Sequence, residues 1–263
     1  MNSEKLSDYV PRSPVRRALH AVLPAQVRQR LWLKLTRARR LTDVYTFLVP
    51  RIRSRRVTRK SQLVIDGIPR SSNSYSSAVL YHLQGKDMRF AHHLHSPRAI
   101  ERGVALGRPT IVLIREPRAV IGSMMQYDPA PLSFLVDAYL SYYERVEPLL
   151  DDVVLADFTE VIKDFGAVIA RCNDKFGTDF TVYERTDENE AEVRDLIDMW
   201  SAQAIKPDEL EMKTSRPSDN RKSAEEVLSG LGPEDQISLA RAEALYARIW
   251  SKCRTSPHEP RSP

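Results

Sequence analysis

With 263 residues, 42% of them hydrophobic, the chain can fill the core of one large α/β domain and carry an extension besides. Its two cysteines, Cys172 and Cys253, stand far apart with no C-x-x-C spacing, so neither a disulfide framework nor a zinc site is indicated and a reducing cytoplasm is the simplest home. The opening MNSEKLSDYVPRSPVRR has no apolar run of the signal-peptide kind, and nowhere do roughly 18 apolar residues follow one another, so no membrane span is expected.

The net charge of +5 is unevenly distributed. Residues 1–60 hold 16 lysines and arginines against Glu4, Asp8 and Asp43, a net +13, whereas the other 24 basic and 32 acidic residues leave −8. Within this basic extension VRRALHAVL and VRQRLWLKLTRARRL set apolar residues and arginines at helical spacing, with Pro24 dividing them. Such a helix can pack on the domain that follows with its arginines in solvent, lie on an anionic membrane surface, or bind nucleic acid. Trp32 and the leucine-rich face favour a membrane over nucleic acid, so a cytoplasmic chain that can sit peripherally on a membrane is expected.

From residue 61 onward strands and helices alternate. SQLVIDG reads as a strand and residues 74–84 as a helix; MRFAHHLH, after the Gly85-Lys86 turn, reads as a short strand and AIERGVALG as a short helix. PTIVLIR, β-branched and apolar between Pro109 and Arg115, is the clearest strand, and AVIGSMMQY beyond Pro117 is helical. Residues 132–150 set Phe134, Leu135, Ala138, Tyr139, Tyr142, Tyr143 and Val146 three and four apart, the buried face of a helix. DDVVLADF is a strand, and EVIKDFGAVIARCNDKFG a helix closed by Gly177. ERTDENEAEVRDLIDMW is helical and KPDELEMKTSRPSDNRKS a long loop of the kind that forms lids. PEDQISLARAEALYARIWSKC closes the domain as a helix with Leu239, Ala242, Leu245, Tyr246 and Ile249 on one face, and residues 255–263 form a disordered tail. This alternation predicts a three-layer α/β domain over residues 61–254, a central parallel sheet covered by helices, with any ligand at the carboxyl ends of the strands.

LVIDGIPRSSNSYSSAVL, residues 63–80, places a polar turn between strand and helix. Gly67 and Pro69 break the strand, and Ser71, Ser72, Asn73 and Ser74 suit a helix start. The free amides there, the helix dipole and the Arg70 guanidinium would hold an oxyanion such as phosphate or sulfate. The same residues also make an ordinary capped turn. The stretch lacks the second glycine and the lysine of G-x-x-x-x-G-K-S/T, so binding of ATP or GTP does not follow from it. A second oxyanion element, IREPRAVIGS, sets Arg115 at the end of the clearest strand and Ser123 eight residues on, two turns into the next helix.

Together, a G-x-P-R-S loop followed by hydroxyls and an R-D/E-P-R-x-x-x-x-S segment resemble the sulfotransferases that use 3′-phosphoadenosine 5′-phosphosulfate (PAPS). The resemblance implies a P-loop-like nucleotide-binding loop in which Arg70, Ser71, Ser72, Asn73 and Ser74 hold the 5′-phosphosulfate, Tyr75 stacks on adenine, and Arg115 and Ser123 hold the 3′-phosphate. Arg70 stands where lysine is usual in that family, and Ser72 and Asn73 where glycine and threonine are. HLHSP, residues 93–97, resembles the family's K-T-H-x-P, which implies His95 as general base and His93 in the lysine's place, with His93 the other candidate base. VVLADFTEVIKD resembles V-x-Y-E-D-L, and SDNRKS resembles the R-K-G that closes over the 3′-phosphate, with Arg221 and Lys222 matching and Ser223 in place of glycine. The likeness spans residues 61–254 in the family's order.

Sulfonyl transfer to an acceptor hydroxyl is an in-line displacement that needs positioning and neutralisation of charge, and no metal in principle. Arginine donates two parallel hydrogen bonds to a phosphate, and histidine as a residue type takes a proton near neutral pH. Arg216 is a rival to Arg221 and Lys222; Arg98 and Arg118 read as surface charges, Cys172, Trp200 and Trp250 as packing, and Asp157 and Glu160 as structural. The acceptor, a hydroxyl on a small molecule, a glycan or a lipid-linked group, cannot be read from residues 124–150 or 184–220, nor can the oligomeric state. Two other classes stay open: an atypical P-loop kinase, and a non-catalytic anion- or nucleotide-binding interaction protein on the same fold.

Overall fold

The computed structural model describes Val27, residues 55–85, 87–127 and 129–205, Thr214 and residues 221–255. The expectations for the rest of the basic extension, for Arg216 and most of the 206–220 loop, and for the tail beyond 255 lie outside the described residues. Four strands, β1 (Leu63–Asp66), β2 (Phe90–His92), β3 (Thr110–Ile114) and β4 (Val154–Asp157), form one parallel sheet in the order β2-β1-β3-β4. Successive side chains point to opposite faces of a strand, so apolar runs without polar alternation require a sheet covered on both sides. Leu63, Ile65, Ile111 and Leu113 enter one core, and Val64, Val112 and Ile114 the other.

The first of these cores is closed by α1 (Asn73–Gln84), α5 (Phe158–Phe176) and α6 (Asp187–Ala204), through residues such as Val79, Leu80, Phe165, Ile169 and Val193. The second is closed by α2 (Pro97–Ala105), α3 (Pro117–Tyr127), α4 (Leu132–Val146), the five-residue α7 (Ala224–Leu228) and α8 (Pro233–Thr255). Tyr139, Tyr142 and Tyr143 of α4 and Leu239, Leu245 and Ile249 of α8 fill it, and Val57 joins them. The result is the expected three-layer α/β domain. Cys172 lies in the first core, where burial pushes its thiol up to about 12; Trp200 packs at that core's margin, and Trp250 stacks on Tyr246.

Chain order places the candidate loops. The chain leaves β1 toward β2 on one side, and leaves β3 toward β4 on the other, so a crevice opens between the carboxyl ends of β1 and β3. Gly67 is the residue that lets the chain turn there: a Cβ on it would lie 2.4 Å from the Leu113 carbonyl oxygen of β3.

Three elements differ from the sequence reading. β2 covers three residues of the expected MRFAHHLH, because the amides of Leu94, His95 and Ser96 turn to the Asp66 carboxylate and leave the sheet. The helix expected over 132–150 ends at Val146 and tightens into a 3-10 turn, Glu147–Asp152, where Pro148 has no N–H to continue the ladder. α7 was not expected; Ser223 and Glu226 start it with a reciprocal capping box. Gly177 closes α5 in the left-handed region as expected, with φ 63°. Asp157 caps the same helix through Thr159 N–H and accepts from the Tyr246 hydroxyl, and Glu160 pairs with Arg171, so both are structural as read.

Candidate functional site

The loop after β1 is held by a side chain expected to bind a ligand. Asn73 is buried; its Oδ1 accepts the Gly67 N–H at 3.1 Å and its Nδ2 donates to the Ile68 carbonyl at 2.9 Å. Both ends of that carboxamide are spent on the turn, so Asn73 offers an anion its backbone amide alone. Ser72 precedes the helix in the left-handed region (φ 66°) without capping it, and its hydroxyl donates to the Ser71 carbonyl. Ser71 is wholly buried, next to Tyr143. The first intrahelical bond is Ser76 N–H to the Ser72 carbonyl, which leaves the amides of Asn73 and Tyr75 without a helical acceptor. Arg70 also takes a left-handed conformation, φ 70°. Two non-glycine residues with positive φ in three positions cost roughly 1–3 kcal/mol each and curl the chain around its own N–H groups.

Arg70 is the centre of the site. Its Nε donates to the Ser123 hydroxyl at 3.0 Å, and its guanidinium lies 5.1 Å from the centroid of the Tyr127 ring, both on α3. Ser123, expected beside Arg115, is thus engaged by Arg70. Arg115 reaches across the crevice and donates to the Arg70 carbonyl at 2.9 Å, while its guanidinium lies 3.8 Å over the Phe158 ring. Its Nε is buried and has no hydrogen-bond partner among the described residues. Burial together with the nearby Arg221 and Arg115 guanidiniums pushes Arg70 down to about 10. Burial lowers Arg115 as well, against the pull of Glu116 and Asp157.

Arg221 reaches the cluster by way of α7. Gly122 of α3 brings that helix in: a Cβ there would lie 3.1 Å from both Cα and Cβ of Ala224. Gln126 clamps the backbone of Lys222 at both ends, accepting from its N–H and donating to its carbonyl, each at 3.0 Å. The Lys222 residue itself is exposed, and Arg221 donates to the Thr214 carbonyl. Arg118 pairs with Glu243 and Arg98 with Glu101, outside the cluster. Tyr75 follows in the first turn of α1; its hydroxyl donates to Glu190 of α6, which also accepts from Tyr183.

The histidines sit against the same loop. His95 and a carbonyl oxygen, that of Gly67, are 2.8 Å apart at Nδ1. A carbonyl only accepts, so Nδ1 carries a proton, and in the neutral ring Nε2 is the nitrogen with the lone pair. Nε2 has no hydrogen-bond partner among the described residues. His93 differs: its Nδ1 lies 2.8 Å from His92 Nδ1 and its Nε2 3.3 Å from the Ser74 hydroxyl, so both nitrogens are engaged. His92 is buried and pushed well below the usual histidine range by that burial, with the Arg55 and His95 charges adding to it, and is neutral. The rings of His93 and His95 meet edge to face at 5.7 Å.

Asp66, at the end of β1, was missed by sequence reasoning, although an aspartate ending the run LVID was its signal. It is wholly buried; burial pushes its carboxyl up, against the pull of His95 and of the amides of Ser96, His95 and Leu94. Those amides can only donate, which matches an ionised carboxylate. Phe158 and Gln126 were missed too, since each acts on a partner far away in sequence. Among the described residues no group of three or more His, Cys, Asp or Glu could hold a metal ion, and no helix is long and apolar enough to cross a membrane.

A scan against protein-family models and a search of curated proteins find no match to the sequence. Among solved structures, the chain is similar to mouse sulfotransferase SULT7A1 complexed with PAP, with a TM-score of 0.44 and 12% identity, over 76% of this chain and 91% of that one.

Proposed function

We propose that the protein is a sulfotransferase that moves a sulfonyl group from PAPS to an acceptor hydroxyl. The observation that carries the reading is the pairing of Arg70 and Arg115 beside the amide-rich start of α1, Arg115 donating to the Arg70 carbonyl at 2.9 Å, with Arg221 near enough to depress Arg70 together with Arg115. Gathering like charges around a half-buried arginine is unfavourable unless a polyanion neutralises them. The buried Arg115 Nε, which lacks a protein acceptor among the described residues, fits such a ligand.

In this reading Arg70 and the amides of residues 71–74 take the phosphosulfate. Arg115, Ser123, Arg221 and Lys222 take the 3′-phosphate, and the Tyr75 ring takes adenine. The acceptor oxygen attacks sulfur and loses its proton to His95 Nε2. The bond from sulfur to the bridging oxygen breaks, and its electron pair leaves on the 5′-phosphate of 3′,5′-adenosine diphosphate. Charge on that leaving group is met by donors fixed beforehand, where one lost donor costs about a hundredfold or more. His95 is assigned as base over His93 because its Nε2 is open while both His93 nitrogens are engaged.

Calorimetric titration of the purified protein with 3′,5′-adenosine diphosphate, alongside ATP, tests the donor site. Micromolar binding selective for the 3′-phosphorylated nucleotide is expected. Equal or stronger binding of ATP would favour an atypical kinase, and no binding of either would withdraw the enzyme reading for an interaction protein.

A further inference from the structure

We propose that Asp66 is the positioning residue for the His95 imidazole, holding it in the tautomer and place that a general base needs. The inference rests on the sulfonyl-transfer reading for its catalytic consequence, and on geometry for the rest. Asp66 ends β1 with the three residues before it apolar, yet it is fully buried. A buried carboxylate persists only where donors satisfy it. Its Oδ1 accepts the N–H groups of Leu94 at 3.1 Å and His95 at 3.0 Å; its Oδ2 accepts Ser96 N–H at 3.0 Å and the Tyr142 hydroxyl at 3.3 Å.

Three successive amides can point at one carboxylate only if the chain curls, and here it curls at the histidines: φ is 53° at His93 and 49° at His95. Left-handed conformations are unfavourable for residues with a Cβ and persist where the surroundings hold them. Asp66 supplies that hold. The curl delivers His95 Nδ1 to the carbonyl of Gly67, the residue after Asp66 in the chain. One dipeptide therefore fixes both the backbone and the ring of His95: the carboxylate sets where the residue stands, and the carbonyl sets which nitrogen is protonated. Asn73 ties the same Gly67 from its N–H side. The base and the anion loop thereby share one anchor.

Asp66→Asn in the full-length protein tests this. The amide oxygen still accepts from two donors, but the NH2 faces Ser96 N–H, which cannot accept. Long-range proton–nitrogen NMR correlation, with His95→Gln to assign the ring signals, reads the tautomer. In the wild type the Nδ1–H form is expected alone; in Asp66→Asn the Nε2–H form rises to a comparable population. Affinity for 3′,5′-adenosine diphosphate stays within about twofold, because Arg70 and Arg115 do not touch Asp66. With 4-nitrophenol as the acceptor probe, kcat falls about 100-fold at unchanged donor KM, in the range a misplaced base loses. A folded Asp66→Asn protein with wild-type tautomer and kcat overturns the inference. Should that variant fail to fold, Asp66→Glu, which keeps the charge and displaces it by one methylene, is judged by the same two readouts. A wild type that binds no 3′,5′-adenosine diphosphate defeats the sulfotransferase reading and the catalytic role with it, while the tautomer still decides whether Asp66 positions the ring.

Discussion

Replacing Arg115 separates the two things it does. Its guanidinium donates to the Arg70 carbonyl at 2.9 Å and lies 3.8 Å from the centroid of the Phe158 ring, with a buried Nε left over for a ligand. A hydrogen bond to a charged group contributes about 1.5–3 kcal/mol, and each ~1.4 kcal/mol is tenfold in affinity. Arg115→Met should therefore weaken 3′,5′-adenosine diphosphate by about 10- to 100-fold. Arg115→Lys keeps the charge but not the planar fork, so it should fall between, at roughly tenfold. Neither change empties the apolar core, and the Tyr139 hydroxyl bonds the residue's backbone carbonyl, which any residue retains. Loss of the bond to the Arg70 carbonyl should lower the melting temperature of Arg115→Met by several degrees, leaving a folded protein at the titration temperature whose calorimetric affinity drops. ATP, lacking the 3′-phosphate, should respond less than the 3′-phosphorylated nucleotide. An Arg115→Met protein that binds 3′,5′-adenosine diphosphate as tightly as the wild type would refute the donor-site assignment.

Gly67→Ala puts a methyl 2.4 Å from a β3 carbonyl oxygen that cannot retreat without breaking the sheet; overpacking of this kind costs about 1–3 kcal/mol, a fall in melting temperature of roughly 2–10 °C, and an unchanged melt would show that the turn has slack. Glu147 is bonded by Arg248 and Lys252, which hold its carboxyl at about 2 instead of 4.5. A depressed folded-state pKa contributes stability that is complete above the unfolded value and lost as pH falls toward the folded one, so Glu147→Gln should flatten the decline of melting temperature between pH 4.5 and about 2; an equal slope would discount the pairing. If the basic extension holds an anionic membrane, deleting residues 1–54, which spares the buried Val57, should abolish salt-sensitive co-sedimentation with phosphatidylserine vesicles, and persistent binding would place the contact elsewhere.

What could be read beforehand followed from local physics. LVI and TIVLI read as buried strands and the turns after them as polar, which put any ligand at the carboxyl ends of the strands; that the crevice opens between β1 and β3 follows from the strand order, which only the contacts supply. The interval from Arg115 to Ser123 is a helix distance and was legible as such, but it does not say which arginine takes the hydroxyl. That depends on how far the β1 loop leans over α3, and the answer is Arg70. The serines and Asn73 carry capping chemistry by type, yet Ser72 makes no cap and Asn73 spends its amide across six residues on Gly67. Such local competition is the property that makes these residues ambiguous. α7 escaped because five residues give no periodicity, although S-A-E-E was a readable capping box.

The histidines show most clearly where sequence stops and packing begins. Three of them in four positions look equivalent along the chain, and on a continued strand His93 and His95 would share a face while His92 took the other. Asp66 breaks that symmetry by withdrawing the amides of residues 94–96 from the sheet, so that each ring meets a different neighbour. His92 is buried and neutral, His93 is bound at both nitrogens, and His95 alone keeps an open Nε2 among the described residues. The difference in chemistry among three identical side chains therefore comes from one carboxylate 28 residues before the nearest of the amides it binds, and a reading that ranks histidines by motif alone cannot contain it.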